Sequence, residues 1–291
     1  MHDTRSYRLF TVFNYIFLCL LAVLCILPLV HMFAVSFSSR AAATANIVNF
    51  FPLSWTNEAY STTLGNSSFL RSLWISVERT VLGTVVSMLV TVMAAYSLSK
   101  DNRKFPGRTP YTWFFVFTML FNGGLIPIYF VVNKLGLMDS IWSLILPVAI
   151  NVWNMILMVN FFRTLPKELE DACLIDGAGH FAVLWRIFLP LSMPAIATLS
   201  LFCMVFHWNS WFDGVIYMRD MVNYPLASFL HAMVVSDNLT QLGISANDVA
   251  NISNRTVKAA QLFISCVPIL LIYPFLQKYF VKGIVLGSVK E

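Results

Sequence analysis

Residues 168–194 read ELEDACLIDGAGHFAVLWRIFLPLSMP. They interrupt a chain that is otherwise apolar enough to lie in lipid. Glu168, Glu170, Asp171 and Asp176 gather around a Gly-Ala-Gly break at 177–179, and Pro190 and Pro194 follow. The spacing predicts a short helix, a tight break and a second helix. Pro166 suits a first helical turn, where its missing N–H leaves nothing unpaired. The acids that follow lie near the positive end of the helix dipole. Leu165, Leu169, Ala172 and Asp176 share a face at the helical period. Gly177 suits a left-handed cap, and Phe181–Leu189 opens a second helix whose entry Pro190 and Pro194 kink. Such a knob between two apolar runs has the shape of an element that docks in a partner's groove; an ordinary helical surface loop fits the same pattern.

The surroundings set the class. The chain has 291 residues, 58% hydrophobic and 11% charged, with a mean hydropathy of +0.72. Soluble domains carry about 25% charged residues, so this chain cannot cover itself with polar surface and reads as an integral membrane protein. The net charge of +5 is no nucleic-acid footprint, because the basic residues stand in small groups at the ends of apolar runs. The cysteines form no C-x-x-C pair and the histidines no metal-ligand spacing, so no disulfide framework, metal site or catalytic triad is expected. The run from Leu9 to Phe37 is far longer than the roughly 7–15 apolar residues of a signal peptide and reads as a helix that stays.

About 20 apolar residues cross a bilayer as a helix. Segments 10–37, 70–99, 111–132, 141–162, 188–212 and 257–281 qualify, and no alternating strand pattern suggests a barrel. The expected fold is all-α with six transmembrane helices. Lysine and arginine accumulate at Arg5 and Arg8, at 100–108, at 163–167, at Arg186 and at 278–290. The positive-inside rule therefore puts both termini and the 163–190 loop in the cytoplasm, with 38–69 and 213–256 outside. The expected organisation is a first helix with its outer loop (1–69), a permeating core (70–281) and a cytoplasmic tail (282–291).

Several polar residues lie inside these runs. Asn122, with Gly123, Gly124 and Pro127, marks a broken helix near the midplane, as a transport site or a packing kink. Asn151, Trp153 and Asn154 sit in the fourth run; Trp208, Asn209, Trp211 and Asp213 end the fifth. Aromatic faces beside amides suit sugar rings, yet amides also join helices and tryptophan favours the interface. Arg79, next to Glu78, points to a uronate carboxylate or to a buried ion pair. Gly83, Ser87, Thr91, Ala95 and Ser99 form a small-residue seam against a partner subunit or a neighbouring span.

The charged stretch is similar to the "EAA" loop of permease subunits of bacterial ATP-binding cassette (ABC) importers: Glu-Ala-Ala, three residues, Gly, nine residues, Ile-x-Leu-Pro. Here it runs Asp171-Ala172-Cys173, Gly177, Ile187, Leu189 and Pro190, with Glu170, Asp176 and Ala178 in the same loop. Asp171 replaces the usual Glu, and Glu170 stands one residue earlier. Residues 121–170, 208–220 and the tail 277–291 also resemble the carbohydrate-importer branch, within it the polysaccharide group that includes alginate importers. The resemblance implies a type I importer permease in the cytoplasmic (inner) membrane that takes up an oligo- or polysaccharide, such as alginate or a related uronate polymer, by alternating access. It implies as partners a second related permease, two ATPase subunits holding ATP and Mg, and an extracytoplasmic solute-binding protein. The chain agrees in containing no G-x-x-x-x-G-K-[ST] phosphate loop, and no cofactor is expected on it. The rival readings are a multi-span enzyme acting on a lipid or glycan, and a passive channel.

Overall fold

The small residues of the second run step along one face of a single helix, Ser67–Ser99. Gly83, Ser87, Thr91 and Ala95 are all buried, and they let two neighbouring helices approach closely. The seam serves the chain's own core. The computed structural model describes residues 5–235 and 255–288, with side chains for 7–234 and 255–274. Regular structure among the described residues is entirely helical.

In chain order the helices are α1 (Arg5–Ser36), α2 (Arg40–Thr44), α3 (Glu58–Gly65), α4 (Ser67–Ser99), α5 (Arg108–Leu120), α6 (Leu125–Lys134) and α7 (Ile141–Ile145). Then come α8 (Val152–Thr164), α9 (Lys167–Ile175), α10 (His180–Leu191), α11 (Met193–Asn209), α12 (Phe212–Tyr217), α13 (Leu226–Val235) and α14 (Arg255–Ser288). Three stretches are long and apolar enough to cross a membrane unbroken: Tyr7–Ser36, Ser67–Ser99 and Arg255–Pro274. Three further candidates are bent pairs: α5 with α6 at 113°, α7 and its continuation with α8 at 53°, and α10 with α11 at 84°.

Each bend has a local cause. Between α5 and α6, Gly124 takes φ +86°, and Asn122 Oδ1 accepts the Gly124 N–H at 2.9 Å. The α7–α8 bend was not expected from the sequence. It follows the turn Leu146–Val148, which contains Pro147, and Asn151 Oδ1 caps α8 by accepting the Asn154 N–H at 3.1 Å. In α10, Pro190 lacks the N–H that would bond back to Arg186, and a π-turn over Leu184–Phe188 takes up the mismatch. The chain then turns at Ser192, and Pro194 occupies the first turn of α11.

The described residues form two compact units, 5–70 with 232–235 and 255–267, and 71–231 with 268–288. The grouping of 232–235 and 255–267 with the first helix has no counterpart in the sequence-based division. In the first unit Phe37 stacks on Trp55 at 4.6 Å and Phe33 meets Phe263 at 5.4 Å. Arg255, on the helix that carries Phe263, donates to Asn46 Oδ1 at 2.7 Å. In the second unit α4, α8, α10 and α11 share one apolar core, including Met88, Val92, Tyr96, Met158, Phe162 and Phe188. The charged tail, with Lys282 and Lys290, lies outside the residues whose side chains are described.

Candidate functional site

The acidic stretch builds a knob on the second unit. Pro166 is the cap residue before α9 rather than part of its first turn. The far end closes as a Schellman motif: Ala178 N–H donates to Cys173 O at 2.9 Å and Gly177 N–H to Leu174 O at 3.1 Å. Gly177 takes φ +81° to allow this. Cys173, Leu174 and Ala178 pack inward on the shared core with Ile187 and Leu189. Leu169, Ala172 and Asp176, together with Ile175, turn outward. Ile175 is 86% exposed, and Phe181 and Trp185 on α10 are exposed as well. The knob's outer face is thus apolar around its acids.

Its root is ionic. Glu170 is the buried carboxylate, and Lys100 Nζ lies 2.8 Å from its Oε2, with the two side chains 8% and 6% exposed. The Lys100 ammonium also lies 3.7 Å from the Tyr96 ring centroid and 4.4 Å from that of Phe188. Lys104 donates to Asp171 Oδ1 at 2.7 Å and stands 3.7 Å from Glu170 Oε1. Lys167 pairs with Asp101 at 2.8 Å, an exposed bridge of small energetic weight. A cavity of about 210 Å³ opens between these groups, lined also by Arg163 and Phe162. Burial pushes the Lys100 ammonium below the ordinary lysine value, against the pull of Glu170. Donating to Asp171 raises Lys104, and the hydrogen bond received from Lys167 lowers Asp101.

A second charged junction lies further along α4. Arg79 is fully buried and forms an ion pair with Asp213. Its Nη1 donates to Ser210 O at 3.0 Å and its Nη2 points to Leu144 O at 3.5 Å. One guanidinium thereby holds the end of α11, the start of α12 and α7. Of the two readings for Arg79, the geometry fits the buried ion pair. Glu78 faces away from it and is exposed. One turn on, His207 packs against Gly83, where a Cβ would lie 2.6 Å from its ring.

The amides and aromatics divide between structure and surface. Asn122 accepts the Gly124 N–H within the α5–α6 break, Asn151 caps α8, Asn154 Nδ2 donates to Cys203 Sγ at 3.5 Å, and Asn209 Nδ2 donates to Val205 O at 2.9 Å. Trp208 is buried and lines an apolar crevice of about 110 Å³ with Leu201 and Ile272. Trp153 and Trp211 keep exposed faces, and Trp211 stacks on His231 at 3.7 Å. Asn122, Asn151 and Asn209 also remain exposed. The groups that sequence reasoning missed are Lys100, Lys104, Tyr96 and Phe188. Their one local signal is the basic run that closes the second apolar segment, opposite in sign to the knob.

Comparison with known proteins gives the class. No protein-family model matches the chain. It is 41% identical over 290 residues to Protein LplC of Bacillus subtilis, covering 100% of this chain and 98% of that one. It is 40% identical over 284 residues to the polygalacturonan/rhamnogalacturonan transport system permease protein YtcP of the same organism, covering 97% and 99%. A solved bacterial ABC transporter involved in the import of the acidic polysaccharide alginate contains a chain that superposes with a TM-score of 0.87. That chain is 32% identical, with 96% of this chain and 99% of that one covered. The chain belongs to the permease subunits of ABC importers. It is a transport subunit of the cytoplasmic membrane and not an enzyme.

Proposed function

We propose that this permease moves an acidic oligo- or polysaccharide across the cytoplasmic membrane by alternating access, with α9 and its cap as the element that receives force from a separate ATPase. The observation that carries the coupling reading is the build of the knob. Its root is pinned by buried charge, its end is set by Gly177, and its outer face presents Leu169, Ile175 and Phe181 to a partner. Apolar side chains ringed by acids suit a groove on another protein. The saccharide reading is supported by relatives named for polygalacturonan/rhamnogalacturonan and for alginate. ATP and Mg belong to the ATPase subunits. A second permease and a solute-binding protein complete the assembly.

In this reading each bent pair counts as one span, giving six, with both termini and the knob in the cytoplasm. The sugar route runs past the exposed faces of Trp153 and Trp211 and the amides of Asn122, Asn151 and Asn209. Asn154, Trp208, Arg79 and Asp213 support it from behind. The test is co-purification of the chain with its second permease and ATPase, followed by uptake of an alginate oligosaccharide into proteoliposomes. ATP-dependent uptake, with a reporter after Lys167 reading as cytoplasmic, is the expected result. Uptake that continues without ATP, or an external Lys167, contradicts the proposal.

A further inference from the structure

The buried lysine at the end of α4 belongs neither to the sugar route nor to the loop motif. We infer that Lys100 is a positioning residue that ties the knob to α4, so that a displacement of α9 is passed into that helix. The inference rests on the reading of α9 as the coupling element.

Burying an ammonium is costly, and an apolar replacement for a buried ion pair is often neutral or stabilising. Stability alone therefore gives no reason to keep this pair, whereas a directional link does. The ammonium is held from three elements at once: Tyr96 on α4, Glu170 on α9 and Phe188 on α10. Tyr96, Phe162 and Phe188 meet edge to face around it, at 5.0 to 6.4 Å. Lys104 offers the same carboxylate a second cation at 3.7 Å.

The end of α4 is in turn fastened to its neighbours. Arg163 on α8 donates to Leu98 O at 3.2 Å, and Arg108 on α5 donates to Lys100 O at 3.1 Å. These bonds occupy carbonyls that a helix end leaves unpaired. Along the same helix, about 30 Å away at 1.5 Å per residue, Arg79 grips the α11–α12 break. One continuous helix thus joins the knob's root to the broken segment that carries Asn209 and Trp211. The cavity of about 210 Å³ beside Lys100 leaves room for the root to shift.

The test uses the full complex in proteoliposomes, with an alginate oligosaccharide as probe. It reads sugar taken up per ATP hydrolysed, alongside membrane yield and thermal midpoint. Lys100→Met combined with Glu170→Met leaves no orphaned charge. This neutral pair should assemble normally and move about fivefold less sugar per ATP. Lys100→Arg, which keeps a cation over the rings of Tyr96 and Phe188, should hold the ratio within about twofold of wild type. A neutral pair with the wild-type ratio at normal yield overturns the inference, as does a Lys100→Arg variant that assembles normally with the low ratio of the neutral pair. Gly177→Val separates the two layers. If it too couples normally, the reading of α9 has failed; if it uncouples while the neutral pair does not, only the role of Lys100 has failed.

Discussion

Arg79 shows how a charge inside an apolar run is decided by its neighbours. Its guanidinium is wholly buried and engaged by Asp213 and two main-chain carbonyls, so it has no face to offer a uronate. Arg79→Met should orphan Asp213 and destabilise the protein by about 2–3 kcal/mol, below the range for fully buried pairs because Asp213 is 21% exposed. Thermal midpoint and membrane yield should fall, and uptake of acidic and neutral oligosaccharides should fall equally. A selective loss of the acidic sugar would return Arg79 to the route. Lys100 is the converse case. Its folded pKa lies below the ordinary value of 10.5, so the unfolded chain holds that proton more tightly. The charge therefore costs stability at every pH below the folded pKa, and the cost fades as pH rises toward 10.5.

At the scale of elements, the unbroken spans were legible from length and hydropathy, since a bilayer demands about 20 apolar residues. The break at Asn122–Gly124 was also legible, because two glycines and a nearby proline leave a helix little choice. The break before α8 was not. Pro147 and Asn151 are ordinary in isolation, and a capping asparagine looks the same in sequence as one that reads a sugar. The knob's outline followed from local spacing, and Gly177 adopts the left-handed cap that spacing required. The Lys100–Glu170 pair joins residues 70 positions apart, which no local period encodes. The seam of α4 was read, while its occupant was not. His207 fills the space that Gly83 leaves, so Gly83→Ala should cost about 1–3 kcal/mol by overpacking. Combining it with His207→Ala should cost less than the sum of the two changes, with a coupling of about 0.5 kcal/mol or more. Additive shifts in a thermal or denaturant measurement would mean that the contact carries no energy.

For the whole molecule, the account joins two charged junctions by one long helix. The first core unit closes on the aromatic cluster of Phe33, Phe37, Trp55 and Phe263. The second holds the knob, the bent helix pairs and both junctions. The central claim is that the knob transmits work from an ATPase on another chain, and its shape depends on the conformation of a single glycine. Gly177 has open space where a side chain would project, yet φ +81°. Valine is therefore resisted by the backbone alone, while asparagine tolerates that conformation. The most direct measurement is alginate oligosaccharide imported per ATP hydrolysed by the reconstituted complex, for wild type, Gly177→Asn and Gly177→Val. The account predicts a ratio near wild type for asparagine. For valine it predicts continued ATP hydrolysis, intact assembly and a ratio reduced by about tenfold, as a coupling loss on the order of 1.4 kcal/mol requires. A valine variant that imports sugar at the wild-type ratio would contradict it.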